Sequence, residues 1–501
     1  MHNEPANHTV KKPIWKSWAE RAGTEEARRW AEDEFPDREG LLDLDRRDFI
    51  KLAGAGMALA GGAGCRQIIN ADPKSVPYVR APEGMIPGVS VVYATAVSLG
   101  GYATGVVVES HEGRPSKIEG NPLHPASLGS TDVFTQAEIL NLYDPERSQS
   151  VIERGEVSSW ESFLAAIRPV LKAQAAKGGS GIRVLSETVS SPAYAAIAKR
   201  FAKRFPAARW AQYEPISRAN VFTGTKTAFG EPLQPVYDLA KADVIVALDA
   251  DLLAGMPGAV AHSRAFADRR RVRKGAAAMN RLYAIESAYT LTGAAADHRA
   301  AVKPSEIEAV ARALRSRVAG LQATAPASVD AKLFDALVAD IKAAGKGRAV
   351  VVPGDQVDAT VHALAHAINS ELGAIGSTVA YIDPIETDPT SGVGVLKNVV
   401  ADLGAGSVDL LVILGGNPVY NAPADLGFGA ALEKAKLVVR LGLYEDETSA
   451  VSHWHLPEAH ALEAWGDARA FDGTVSIVQP LTAPLYRGKS AIEVVSELLD
   501  Q

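Results

Sequence analysis

Cysteine is nearly absent: Cys65 is the only one in 501 residues. A single thiol forbids an intrachain disulfide, and it forbids an iron–sulfur cluster of the usual four-thiolate kind built from this chain alone. Long apolar runs are missing as well. None reaches the roughly 18 to 20 residues that span a bilayer. The longest, Leu52 to Gly64, has the length of a signal-peptide core and is rich in Gly and Ala. Positive charge is not in excess, since 52 Lys and Arg face 59 Asp and Glu for a net charge of −7. That balance argues against a nucleic-acid partner, because neutralising phosphates takes clustered cations. The densest basic stretch, Arg264 to Lys274, reads as a solvated helix face and its exit. No Gly-x-Ser-x-Gly elbow positions a serine nucleophile, so a hydrolase has little support.

What is present is globular. Hydrophobic residues make up 47% and charged residues 22%, and the length allows two or three folded units with real cores. Before the short apolar run stands Asp45-Arg46-Arg47-Asp48-Phe49-Ile50-Lys51. The paired Arg46 and Arg47, with Phe49 and Lys51, form the export signal of proteins that cross a membrane already folded. Cys65 closes the run in Gly62-Ala63-Gly64-Cys65. Small residues before a cysteine suit lipid attachment, although a larger aliphatic residue is expected where Gly62 stands; an acylated and an inert Cys65 both stay open, and a single acyl anchor would be weak alone. Residues 1–44 are long for a leader. They carry Trp15, Trp18, Ala22, Ala27, Trp30 and Phe35 at roughly helical spacing, which fits either a solvated amphipathic helix or a docking segment.

Residues 45–65 are thus the signal or anchor region, and 66–158 a linker plus a small β-containing domain. The linker is proline-rich from Pro73 to Pro87. Beyond it the β-branched run Val106-Val107-Val108, the turn His111-Glu112-Gly113-Arg114 and the return Ser116 to Glu119 predict a hairpin. From Trp160 helix and strand patterns alternate. "GIRVLSE", "ARWAQY" and "ADVIVALDADL" read as strands, as do "RAVVVPG", "VDLLVILGG" and "KLVVRLG"; the unbroken apolar run of "ADVIVALDADL" suits a strand buried rather than half-exposed. "SPAYAAIAKRFAKRF", with Pro192 in its first turn, "DATVHALAHAINSEL", closed by Gly373, and "ADLGFGAALEKA" read as helices. Such alternation implies a parallel sheet covered by helices. The expected architecture is α/β, with doubly wound, mostly parallel sheets in two lobes, 159–330 and 331–501, joined somewhere between Pro304 and Arg348.

In such sheets ligands bind beyond the carboxyl ends of strands. Gly415, Gly416, Asn417 and Pro418 follow "LLVIL" at that place. The glycines would let the backbone approach a phosphate or pterin, although any tight turn after a buried strand favours these residues. "SHWHLPEAHALEAWGD" holds His453, His455, His460 and Glu463. Two histidines two apart share a strand face and His460 with Glu463 would share a helical face, a pattern that suits a metal. Pro457 interrupts it, which favours hydrogen-bonded structural histidines. His111 and His124 lie in turn-rich segments, where local hydrogen bonding is the commoner role.

Set side by side, the hairpin, the two lobes and the twin arginine resemble the molybdopterin oxidoreductase superfamily over most of the chain. "GRPSKIEGNPLHPASLG" with "LYDPERSQ" looks like its opening domain. "ADVIVALDADL", "AIESAYTLTGAAADHRAAVKP", "LGGNP" and "YEDETSAVSHWHLPEAHALEAWGDARAFDGTVSIVQP" look like its central-domain signatures in the expected order. More narrowly, the tryptophan-bearing preface, the twin arginine and "YATAVSLGGYATGVVVESHEGRPSKIEGNPLHPASLGSTDVFTQAEILNLYDPERSQ" look like the B subunit of alternative complex III, a membrane-bound quinol oxidoreductase. That resemblance implies a non-catalytic, molybdopterin-type subunit without a cofactor of its own, exported to the periplasmic face of the cytoplasmic membrane. The partners it implies are an iron–sulfur ferredoxin-like subunit, a quinol-binding integral membrane subunit and cytochrome c subunits. Catalytic relatives place cluster cysteines in the first domain and this chain has none there, so the clusters are expected in a partner chain or in a further half beyond Gln501. Two other readings compete: a catalytic molybdopterin-dependent oxidoreductase holding a pterin near Gly415 to Pro418, and a two-lobed periplasmic binding protein.

Overall fold

The computed structural model describes residues 24, 25, 86, 88–271, 278–388 and 392–500. Arg46, Arg47, Phe49, Lys51 and Cys65 lie outside the described residues, as do the tryptophans of the preface. Contacts divide the chain into two units, Met1–Glu83 and Gly84–Gln501, and the elements below belong to the second.

Three antiparallel strands open it: β1 (Val91–Leu99), β2 (Tyr102–His111) and β3 (Arg114–Gly120). Glu112 and Gly113 both take positive φ, 52° and 83°, at the expected β2–β3 turn. β1, which the hairpin reading omits, adds a third strand through the Gly100-Gly101 turn. Val97, Val106, Val108 and Ile118 bury one face of this sheet against Leu142, from the Val133–Leu142 helix, and Leu462.

The largest sheet has seven strands in the order β5-β4-β16-β15-β14-β6-β7. β4 (Val151–Glu153) and β5 (Glu156–Ser158) form its antiparallel edge. The rest is parallel: β6 (Ile182–Ser186), β7 (Arg209–Gln212), β14 (Leu410–Leu414), β15 (Val438–Gly442) and β16 (Trp454–Pro457). On one face Phe163, Ile167, Ile197, Phe201 and Leu498 come from helices Trp160–Ala175, Pro192–Arg204 and Ala491–Asp500. On the other, Leu396, Val399, Phe428 and Leu432 come from helices Val393–Gly404 and Phe428–Leu432. Pro192 occupies the first turn of its helix, where its missing N–H costs nothing, and Ser191 accepts from the Tyr194 N–H as N-cap.

A second parallel sheet has the order β11-β10-β9-β12: β9 (Val244–Leu248), β10 (Arg281–Glu286), β11 (His298–Ala301) and β12 (Ala349–Pro353). Phe334, Leu337 and Ile341, with Val310 and Leu314, cover one face. β8 (Gln234–Tyr237) pairs antiparallel with β13 (Val379–Ile382), and β17 (Gly466–Arg469) with β18 (Val475–Val478).

The sheets do not follow the expected division into 159–330 and 331–501. β6 and β7 share a sheet with β14 to β16, while β12 joins β9 to β11. The segment that was expected to join two lobes instead connects β11 to β12 of one sheet through helices Ile307–Val318 and Ala331–Ala344, and at its end the Arg348 carbonyl accepts from the Asp243 N–H at 2.7 Å while the Arg348 side chain pairs with Asp243. Local apolar pattern identifies a buried strand but not the neighbour it will pair with, so an inserted sheet is invisible to it. The equivalence of "ADVIVALDADL" and "VDLLVILGG" is seen in another form: β9 and β14 each have a parallel neighbour on both sides. "ADLGFGAALEKA" is not one helix. A 3₁₀ turn at Ala424–Leu426 gives way at Gly427, φ 58°, to the short helix Phe428–Leu432.

Candidate functional site

The connection after β6 leads to β7 through a helix on one face of the large sheet. The connection after β14 leads to β15 through helix Phe428–Leu432 on the opposite face. β6 and β14 are neighbours, so the crevice between their carboxyl ends is a topological switch point, the place where such sheets hold ligands. The predicted loop lies there. Gly415, Gly416, Asn417 and Pro418 line the crevice together with Glu187, which follows β6, and Tyr213 and Glu214, which follow β7.

Gly415 and Gly416 adopt φ of 70° and 65°, a left-handed turn that glycine takes without strain. A Cβ on Gly415 would stand 2.4 Å from Glu187 Oε2, and one on Gly416 3.0 Å from Glu187 Cγ. The loop therefore lies directly against the Glu187 side chain, and the nearby Gly416 backbone favours its charged form. Asn417 is fully engaged. Its Nδ2 donates to Glu447 Oε2 at 2.6 Å, and its Oδ1 accepts from Thr448 Oγ1 at 2.7 Å. Pro418 is buried at the start of the short helix Pro418–Asn421.

The walls are acidic. Burial raises Glu187, against the pull of Arg440. Glu214 is pushed up to about 7 by burial and then by the Glu187 charge, and Glu458, just past β16, up to about 7 for the same two reasons in the same order. Arg440 on β15 is the cation facing them, and its Nη2 is already given to Asp446 at 2.9 Å. Space is small: the crevice encloses about 10 Å³, on the order of one water.

Glu458 offers a direct test of this electrostatics. A carboxyl whose folded pKa lies above its unfolded value binds its proton more tightly in the fold; that contribution is fully present below about pH 4.5 and lost as pH rises through 7. Glu458→Gln removes the loss. The variant is expected to be more stable than the parent by about 1–3 kcal/mol at pH 8, with the gap closing by pH 5. Urea unfolding at the two pH values checks it, and equal stability at pH 8 would contradict the assignment.

The histidine segment is a set of separate hydrogen bonds. His455 on β16 has Nε2 2.6 Å from Ser148 Oγ and Nδ1 2.8 Å from Ser449 Oγ; burial, then Arg440, holds its pKa down to about 4. His453 Nδ1 accepts from the Val438 N–H at 3.1 Å. His460 Nε2 lies 3.2 Å from Glu138 Oε2, while Glu463 receives Arg147. His460 and Glu463 share a turn rather than a helix. Among the described residues no three His, Cys, Asp or Glu side chains are grouped to hold a metal. His124 Nε2 meets Ser476 Oγ at 2.9 Å, and His111 is exposed, 3.9 Å from Glu109.

Glu187, Glu214 and Glu458 are the site residues that sequence reasoning passed over. Each is the first carboxylate beyond the carboxyl end of a parallel strand, and the rule that pointed to Gly415 would have reached them.

The order of strands, the switch-point crevice and its glycine loop meet in one comparison. Residues 154–501 match the family model described as molybdopterin oxidoreductase. This chain belongs to that family. The menaquinone reductase, molybdopterin-binding-like subunit of Nitratidesulfovibrio vulgaris (strain Hildenborough) is 25% identical over 508 residues, covering 90% of this chain and 71% of that protein. The acetylene hydratase of Pelobacter acetylenicus superposes with a TM-score of 0.63 at 13% identity over 81% of this chain and 68% of that one, a likeness of fold.

A molybdopterin oxidoreductase implies a pterin cofactor, and the residues at this crevice do not fit one that carries phosphates. Glu187 stands where a phosphate would meet the glycine loop, and Asn417 spends its amide on Glu447 and Thr448. Glu214, Glu458 and Asp446 add carboxylates around a single Arg440. An anion placed there would face like charges close at hand, which disfavours it.

Proposed function

We propose that this chain is a structural, non-catalytic molybdopterin-type subunit of a membrane-bound respiratory quinone oxidoreductase, of the kind represented by alternative complex III. One observation carries the reading: the crevice at the switch point of the large sheet is lined by Glu187 and Glu214, with Glu458 close enough to feel the Glu187 charge, and has room for about one water. The similarity to a menaquinone reductase subunit across 90% of the chain supports the setting. Among the described residues no helix is long and apolar enough to cross a membrane, which agrees with attachment through other subunits. In this reading the folded chain holds an iron–sulfur ferredoxin-like partner beside a quinol-binding membrane subunit, so that electrons pass through the partner's clusters toward cytochrome c. Arg46, Arg47, Phe49 and Lys51 direct export of the folded chain to the periplasmic face, and Cys65 is the place where a lipid would attach.

The test is purification of the tagged chain from detergent-extracted native membranes. An iron–sulfur protein and a multi-helix membrane subunit are expected to remain bound, with no stoichiometric molybdenum or tungsten in the preparation. One such metal per chain, or recovery of a solitary soluble protein, would overturn the proposal. Intact-mass measurement of the same material decides whether Cys65 carries an acyl group.

A further inference from the structure

A tight turn of successive backbone N–H groups forms a concavity that attracts an anion. The Gly415-Gly416 loop is a turn of this kind, two consecutive left-handed residues at the end of a buried parallel strand; the Gly415 N–H is given to the Leu441 carbonyl at 3.1 Å, so the Gly416 N–H is the donor the turn offers to an anion. The anion in contact with it belongs to the chain itself. The Glu187 side chain lies so close to the loop that a methyl group on Gly415 would collide with Oε2 and one on Gly416 would stand 3.0 Å from Cγ. Three further observations show how this contact is built. Glu187 is the first residue past β6, on the strand adjacent to β14, so the pairing of Ser186 with Leu414 fixes the distance between carboxylate and loop. Glu187 lies at the rim of the crevice, with part of its surface open to solvent although protein surrounds its carboxylate closely enough to raise its pKa, so the side chain can leave the loop without opening a core. Behind it Arg440, buried between Asp446 and the Leu441 carbonyl, supplies a positive charge that an incoming anion would share.

We propose that Glu187 is an internal competitor for the Gly415-Gly416 cradle: its carboxylate holds the position of a ligand phosphate and keeps phosphate-bearing molecules out of the crevice. The proposal rests on the scaffold reading and names the side chain responsible. It makes the cradle an anion site that one residue closes, rather than a loop that has lost the geometry for binding. The other carboxylates facing the position are Glu214, Glu458 and Asp446. Glu214 and Glu458 are raised first by burial, which stays when Glu187 is replaced, and second by the Glu187 charge, which does not; acid favours their uncharged forms, so an emptied cradle should accept an anion better at pH 6 than at pH 8.

The experiment is calorimetric titration of the purified full chain with inorganic pyrophosphate at pH 6 and pH 8, for the parent, Glu187→Ala and Glu187→Gln. The parent is expected to show no binding at either pH. Glu187→Ala should bind pyrophosphate at least tenfold more tightly than the parent at pH 6, and more weakly at pH 8, where Glu214 and Glu458 ionise. Glu187→Gln, which removes the charge but keeps the bulk, should fall between the two. Binding by the parent as tight as by Glu187→Ala would overturn the proposal, and so would absence of binding by both variants when each unfolds as cooperatively as the parent. Either failure leaves the metal and partner content of the native complex, which tests the scaffold reading, as a separate result.

Discussion

Replacing Arg147 with alanine is expected to cost about 3–5 kcal/mol of unfolding free energy at neutral pH. The Arg147 and Glu463 side chains are 1% and 0% exposed, with Nη2 to Oε2 at 2.7 Å and Nη1 to Oε1 at 3.2 Å. Arg147 Nη1 also donates to the Leu142 carbonyl at 2.8 Å, which ties the pair to the helix behind the opening β-sheet. Glu463 accepts in addition from the backbone N–H groups of His460 and Leu485. Burial alone would raise the Glu463 pKa, but Arg147 and those two amides prevail and hold it below the usual carboxylate range. A depressed folded pKa means stability that is present above the unfolded value near 4.5 and lost as pH falls through the folded one. The alanine variant strands a buried carboxylate, so its penalty should be full at pH 7 and shrink in acid. Urea unfolding of Arg147→Ala, Glu463→Leu and the double variant Arg147→Met/Glu463→Leu measures it; the double variant should lose less than Arg147→Ala. A loss below about 1 kcal/mol for Arg147→Ala would mean that the pair behaves like a solvated surface bridge.

Arg218→Met is the second large effect, again about 3–5 kcal/mol. Arg218 is buried and gives Nε to Asp355 Oδ1 at 3.0 Å, and Nη1 to Tyr102 OH at 2.5 Å and Gln234 Oε1 at 2.8 Å. Tyr102 in turn donates to Glu386. These five residues come from β2, the approach to helix Ala219–Phe229, β8, the turn after β12 and the segment after β13. One guanidinium therefore joins the opening sheet to the inserted sheet and to the β8–β13 pair. Methionine keeps much of the volume but leaves Asp355 and Glu386 without their cation. The expected signature is a lowered unfolding midpoint with a broadened transition, as the joined segments lose their shared partner. Adding Glu386→Gln should restore part of the loss, and a thermal scan indistinguishable from the parent's would refute the role.

Element type was legible because it is local. An apolar run of five residues bounded by turn residues marks β9, β12 and β14, and β6 and β15 carry the same pattern interrupted by Arg183 and Arg440; all five are buried along their whole length. The turn at Gly415 and Gly416 was legible for the same reason, since left-handed residues after a buried strand favour glycine. Long-range matters were not. Arg147 and Glu463 are separated by 316 positions, and Ser148 and His455, whose contact makes that histidine structural, by 307. No periodicity connects such partners. The acidity of the crevice was hidden likewise, because Glu187, Glu214 and Glu458 meet only once β6, β7 and β16 take their places in one sheet.

That sheet also bears on the export proposed above. Ile182 lies opposite Leu410, so the strand that completes the middle of the sheet is synthesised more than two hundred residues after its neighbour. A translocation channel that threads an extended polypeptide would present β6 and β7 on the far side long before β14 arrived, with their hydrogen-bonding edges open to other chains. A route that waits for the finished fold avoids that interval. In the export proposed above, the order in which ribosomes make these strands would give the paired arginines near the N-terminus a purpose that needs no cofactor as cargo.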